Sequence, residues 1–109
     1  MSYDISLGIR VRDQWYDIIE VGNMTSNVAP MWRLASPHTD GLAGMHGMNA
    51  EEALPHISLL AHEMTQNPDK YRALNPDNGW GSYEGALNYV IEFGMYCEKN
   101  PGLEVYVDR

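Results

Sequence analysis

Cysteine is all but missing from this chain of 109 residues: Cys97 stands alone. No internal disulfide can form, and a reducing compartment is the expected setting. Basic residues are scarce as well, seven Lys and Arg against 15 Asp and Glu, for a formal net charge of −8. Nucleic-acid binding rests on a basic footprint that releases counterions from phosphates, so direct nucleic-acid binding is not expected here. No apolar run approaches the roughly 20 residues that a membrane span requires, so no membrane partner is expected either. The opening Met1-Ser2-Tyr3-Asp4-Ile5-Ser6 lacks the basic-then-apolar pattern of a secretory leader. A cytoplasmic protein is the expectation. Phenylalanine occurs once, which leaves seven Tyr, three Trp and seven Met to fill much of the core.

The composition that remains is that of an ordinary globular domain, 44% apolar and 20% charged. A single domain over 1–109 is expected, since domains typically run to roughly 100–150 residues. At this size about 60–65% of the unfolded surface is buried. Association of copies would add to that burial, and a homo-oligomer is an expectation on the same ground.

Residues 3–9 alternate strictly, with Tyr3, Ile5, Leu7 and Ile9 on one face, the period of a half-buried strand. Residues 10–14 turn the chain, and 15–21 read as a second strand that Gly22-Asn23 ends, so the two form a hairpin. Thr25, Ser26 or Asn27 caps a short helix that tolerates Pro30 in its first turn and closes at Ser36-Pro37. Residues 36–48 hold three Gly, one Pro and two His and read as a long irregular loop, of the kind that is functional or mobile. Asn49 and Glu52 resemble a capping box ahead of an amphipathic helix over 50–66, carrying Ala53, Leu54, Ile57, Leu60, Ala61 and Met64. Residues 69–74 give one or two helical turns. The turn-rich Asn75-Pro76-Asp77-Asn78-Gly79-Trp80-Gly81 leads to Ser82, which caps the most apolar helix, Tyr83 to Lys99. Gly94 within it marks a close backbone contact. Val105 and Val107 alternate with polar residues in a last strand. The fold class is α+β: a small antiparallel sheet, made of the N-terminal hairpin plus the C-terminal strand, packed against two main helices.

Catalytic motifs are wanting, and neither a catalytic residue nor a cofactor is assigned; enzymatic activity is not the expected role. His62-Glu63-Met64-Thr65-Gln66 has Gln where a zincin helix needs its second His. His38, Asp40, His46, His56 and His62 are spaced without a coordination pattern, so no metal site is assigned. Cys97 lies on an apolar helical arc, where burial keeps a thiol inert. Gly41, Gly44 and Gly47 do not form a phosphate loop.

Two polar clusters are the candidate ligand contacts. Asn23, Thr25, Asn27, Trp32 and Arg33 follow the second strand; Asn75, Asn78, Trp80, Ser82 and Tyr83 open the last helix. Aromatic faces stack on flat ligands, Asn reads hydrogen-bonding edges, and Arg33 can clamp a phosphate or carboxylate. The same residue types also satisfy turn backbones and plug cores. The acidic balance offers a further reading, mimicry of a nucleic acid towards a basic host protein, although the carboxylates look scattered along the chain.

Ser2-Tyr3-Asp4-Ile5-Ser6, Asn23-Met24-Thr25-Ser26-Asn27 with Met31-Trp32, Glu52-Ala53-Leu54-Pro55 and the stretch from Asn75 to Glu84 together resemble a family of small uncharacterised bacteriophage proteins. Those proteins open on a similar Tyr-Asp-Ile strand and carry a similar Asn-Gly-Trp-Gly turn before the last helix. The resemblance covers most of the chain, least so at 10–14 and 36–48. It brings no site residue with it, and implies a virus-encoded protein made in the cytoplasm of a bacterial host. The leading expectation is thus a non-enzymatic binding protein for a small nucleotide-like or other polar host ligand. The alternative is an acidic protein–protein inhibitor of a host factor, and a metal-dependent hydrolase using the loop histidines comes third.

Overall fold

Strand β1, Ser2–Val11, turns into β2, Gln14–Thr25, through only two residues. Arg12 and Asp13 both have positive φ, 52° and 67°, as the tight hairpin turn that matches strand twist demands. Neither is glycine, and each departure from the right-handed region is unfavourable by roughly 1 kcal/mol. The computed structural model describes residues 1–109. Its third strand, β3 (Glu104–Asp108), returns antiparallel along the other side of β1, giving the order β2-β1-β3. The expected α+β architecture is what the chain adopts.

β2 outruns its expected end. Gly22 and Asn23 do not stop it; they pair with Ile5 and Asp4, and the strand continues to Thr25. The register skips Val21 and Ile18, so β2 bulges twice, and Gly22 takes a φ of 129° beside the first bulge. Glycine here bends a strand instead of ending it.

Tyr3, Ile5 and Leu7 of β1 with Val105 and Val107 of β3 make one face of the sheet apolar and buried. Against that face pack α1 (Ala29–Ala35), α2 (Ala50–Gln66) and α4 (Tyr83–Lys99), while α3 (Pro68–Arg72) packs on α2 and α4. Asn49 caps α2 by accepting from the Glu51 amide at 3.0 Å, while Ser82 caps α4 by accepting from Gly85 at 3.1 Å. α2 and α4 lie tightly together: a Cβ added at Gly94 would stand 3.2 Å from Ile57 Cγ2. Cys97 faces the core, and burial pushes its thiol up to about 12. No helix is long and apolar enough to cross a membrane.

The segment 36–48 is less loose than its glycines imply. It holds two single 3₁₀ turns, Pro37–Thr39 and Ala43–Met45, and buries Ser36, Thr39, Leu42 and Met45. Ser36 Oγ and Thr39 Oγ1 lie 2.6 Å apart, and Thr39 Oγ1 donates to the Gly41 carbonyl at 2.7 Å. Its last residues cover the outer edge of β3. Gly47 donates to the Val105 carbonyl at 2.8 Å, Val105 donates to Met48 at 2.8 Å, and Val107 donates to His46 Nδ1 at 3.0 Å.

Candidate functional site

The two polar clusters meet. Asn27 Nδ2 donates to the Trp80 carbonyl at 3.4 Å, and Gly81 lies so close to Val28 and Thr25 that a Cβ there would stand 2.7–2.8 Å from their side chains. Most of the polar atoms are already engaged in holding backbone. Thr25 Oγ1 accepts from the Asn27 amide at 3.3 Å, Asn78 Oδ1 from Trp80 at 2.9 Å, and Asn75 Oδ1 from Tyr83 at 2.8 Å. Asn23 Nδ2 donates to Asp4 Oδ1 at 2.8 Å.

Two expected contacts are corrected outright. Trp32 is 0% exposed: its ring meets Tyr3 edge-on at 5.1 Å and stacks on Tyr89 at 5.7 Å, and Nε1 donates to the Ala86 carbonyl at 3.2 Å. Tyr83 is 5% exposed, with its hydroxyl donating to the Met64 carbonyl at 2.7 Å. Both rings are core: α1 turns Trp32 towards Tyr3 of the sheet, and the start of α4 turns Tyr83 towards α2 and α3. Trp80 is 70% exposed, and Arg33 lies on the surface of α1.

The histidines and Asp40 part company. His46 accepts from Val107 and sets its ring edge-on to Tyr106 at 4.8 Å; Asp40 stands 3.9 Å from Arg109; His38 and His56 come together. Glu63 of the His-Glu pair on α2 takes the Tyr71 hydroxyl at 2.6 Å and Lys70 at 3.1 Å, which hold its carboxyl below the usual range.

The concavity with the most chemistry lies on the side of the sheet turned away from the helices. Strand register assembles it. Asp4 of β1 lies opposite Asn23 of β2 and Asp108 of β3; Ser6 lies opposite Glu20 and Tyr106; Gly8 lies opposite Asp17 and Glu104. The resulting cleft of 350 Å³ is lined by Asp4, Asp17, Glu20 and Asp108 together with Ser6, Asn23, Trp15 and Tyr106. Four carboxylates on neighbouring strands repel one another, and Asp4 directly opposite Asp108 disfavours the pairing they share. A fold keeps such an arrangement at some expense in stability.

Internal partners answer only part of that charge. Ser6 Oγ donates to Asp17 Oδ1 at 3.0 Å, Trp15 Nε1 donates to the same oxygen, and Asn23 answers Asp4. Arg10 is drawn off by Glu104, with Nε 3.0 and 3.2 Å from the two carboxylate oxygens. Glu20 and Asp108 line the cleft without a partner in the chain.

Glycine shapes the cleft wall. At Gly8 a Cβ would collide with the Tyr16 carbonyl and stand 2.7 and 2.9 Å from the Trp15 ring. The indole therefore lies across bare backbone, the arrangement by which an aromatic side chain covers a strand glycine. It comes within 5.2 Å of Tyr106, and Arg10 sits over it at 5.4 Å. His46, Tyr106, Trp15 and Arg10 thus form a continuous row beside the carboxylates.

Asp4, Ser6, Trp15, Asp17, Glu20, Tyr106 and Asp108 do not figure among the residues picked out from sequence, save as scattered charge. The usable signal was the alternation itself: the period that puts Tyr3, Ile5 and Leu7 inward puts Asp4 and Ser6 outward, and Tyr106 and Asp108 follow the same rule in β3. Comparison with protein-family profiles, with curated proteins and with solved structures finds no match to this chain.

Proposed function

We propose that this chain is a non-enzymatic binding protein that receives a basic segment of a partner protein on the solvent face of its sheet. The observation that carries the reading is the cleft where Asp4, Asp17, Glu20 and Asp108 converge beside the Trp15–Tyr106 pair. Carboxylates attract guanidinium and ammonium groups, and aromatic faces add a cation–π contribution of about 0.5–2 kcal/mol. An exposed ion pair contributes only about 0–1 kcal/mol. One cation is therefore too little for useful affinity, and the fitting ligand is a run of Lys and Arg that engages several carboxylates at once. The net charge of −8 favours encounter with such a partner over long range. The resemblance to bacteriophage proteins makes a host protein the natural source of the segment. A nucleotide-like ligand has less support, since Trp32 and Tyr83 are core and the neighbouring amides are engaged.

The test is an amide-resonance titration with a ten-residue arginine-rich peptide, and with the same peptide bearing Gln in place of Arg. Saturable shifts at Ser6, Trp15, Glu20 and Tyr106 are expected for the arginine peptide alone. The apparent Kd should rise at least tenfold between 50 and 300 mM salt, and again in the Glu20→Gln/Asp108→Asn variant. Shifts centred on Asn27 and Trp80, or equal response to both peptides, would overturn the proposal.

A further inference from the structure

Two histidines that are 18 positions apart in sequence meet at the surface. His38 Nε2 and His56 Nδ1 lie 3.2 Å from each other, with ring centroids 5.3 Å apart and planes inclined at 52°. A ring nitrogen of a neutral imidazole that faces another within this distance offers either an N–H or a lone pair, and one proton can be shared between the two. The same separation suits a metal ion. Bonds of about 2.1 Å from two imidazole nitrogens to one ion place those nitrogens about 3.0 Å apart at a right angle and about 3.4 Å apart at the tetrahedral angle. The observed distance falls between these limits. We infer that His38 and His56 form a two-imidazole site for a divalent transition-metal ion, which lies off the line between the two nitrogens while the proton between them moves to the other nitrogen of its own ring.

The supports of both rings are stiff, which is what a preformed site needs. His38 lies in the turn Pro37–Thr39, whose backbone is fixed by proline on one side and by the Ser36–Thr39 and Thr39–Gly41 hydrogen bonds on the other. Gly44 presses on this turn so closely that a Cβ there would collide with the Thr39 carbonyl. His56 lies in the second turn of α2, anchored by Ala53 and Ile57 in the core. His38 is exposed and His56 half-buried, so water or an external donor can complete the coordination. Nitrogen ligands select copper, nickel and zinc over magnesium and calcium, and among these Cu²⁺ binds tightest. The site is separate from the acidic cleft and owes nothing to the proposal made for it.

Untagged protein titrated with Cu²⁺ and with Zn²⁺ tests the inference. One equivalent of Cu²⁺ should broaden the ring-proton resonances of His38 and His56 before those of His46 and His62. Calorimetry should give one site, with Cu²⁺ tighter than Zn²⁺. His38→Gln and His56→Gln should each weaken binding at least tenfold, whereas His62→Gln should leave it unchanged. The unfolding midpoints of all three variants should match that of the parent, since the rings reach solvent. Broadening that begins at the N-terminus or at His62, or affinity unchanged in His38→Gln and His56→Gln, would overturn it.

Discussion

Gly8 stands in the central strand, where secondary-structure preference alone recommends its replacement. Alanine there should recover about 0.5–1 kcal/mol of backbone entropy. The structure demands the opposite result. The new Cβ would collide with the Tyr16 carbonyl and with the Trp15 ring at 2.7 and 2.9 Å, so β2 or the indole must give way. Overpacking a filled site costs about 1–3 kcal/mol, and a collision with backbone belongs at the upper end because the carbonyl cannot rotate aside. The net expectation for Gly8→Ala is a loss of about 2 kcal/mol. With an m-value of about 2 kcal/mol/M, the urea midpoint followed by far-ultraviolet circular dichroism should fall by about 1 M. Displacement of the indole should also weaken the arginine-rich peptide, because the cleft loses its wall. Adding Trp15→Ala should restore part of the lost stability but none of the peptide affinity. A Gly8→Ala midpoint equal to or above that of the parent would refute the argument that this glycine exists to seat the ring.

Further outcomes follow from the packing and the hydrogen bonds. Trp32→Phe removes the indole hydrogen bond to the Ala86 carbonyl and leaves a gap in the core, and should lower stability by about 1–3 kcal/mol, while Trp80→Ala should stay within about 0.5 kcal/mol of the parent in the same urea assay. Asp13→Gly relieves a positive φ in the hairpin turn and should raise stability by about 0.5–1 kcal/mol. Glu63 is held below the usual carboxylate range by Tyr71 and then Lys70, so its contribution is present above the ordinary Glu pKa and disappears as pH falls through the depressed one; carboxyl carbon shifts should show it titrating below the ordinary glutamate value, and in Glu63→Gln that part of the acid sensitivity should vanish. Cys97, buried and pushed up to about 12, should resist alkylation at pH 8 until urea opens the fold; prompt labelling of native protein would contradict its placement.

The legible parts of this fold were those where a local pattern and the tertiary contacts agree. Alternation located β1 and β3, and the apolar spacing with Asn49 and Ser82 located α2 and α4 to the residue. Where one residue type serves two purposes, sequence misled. Gly22-Asn23 has the chemistry of a turn, yet pairing with β1 and a bulge absorb both residues into β2. Trp32 and Tyr83 have the chemistry of a stacking site, but whether an aromatic ring faces solvent or core depends on orientation, which neither the short α1 nor the first residue of α4 declares in its own sequence. The acidic cleft was the hardest to see. Its carboxylates come from three strands, Asp4 and Asp108 are separated by most of the chain, and only the strand register makes them neighbours. The same is true of His38 and His56, which no spacing rule relates.

The covering of β3 by residues 46–49 bears on how copies of this chain behave when crowded. A sheet with two bare borders can be extended at both, and strand addition then runs on without limit, which is the route to fibres. Here one border is already occupied, and only β2 is left bare. Two molecules joined border to border through β2 would have no edge remaining for a third. The kinks at Ile18 and Val21 further restrict which neighbouring strand could lie straight along it. Self-association by this route is self-terminating, a property of topology that no single side chain has to enforce.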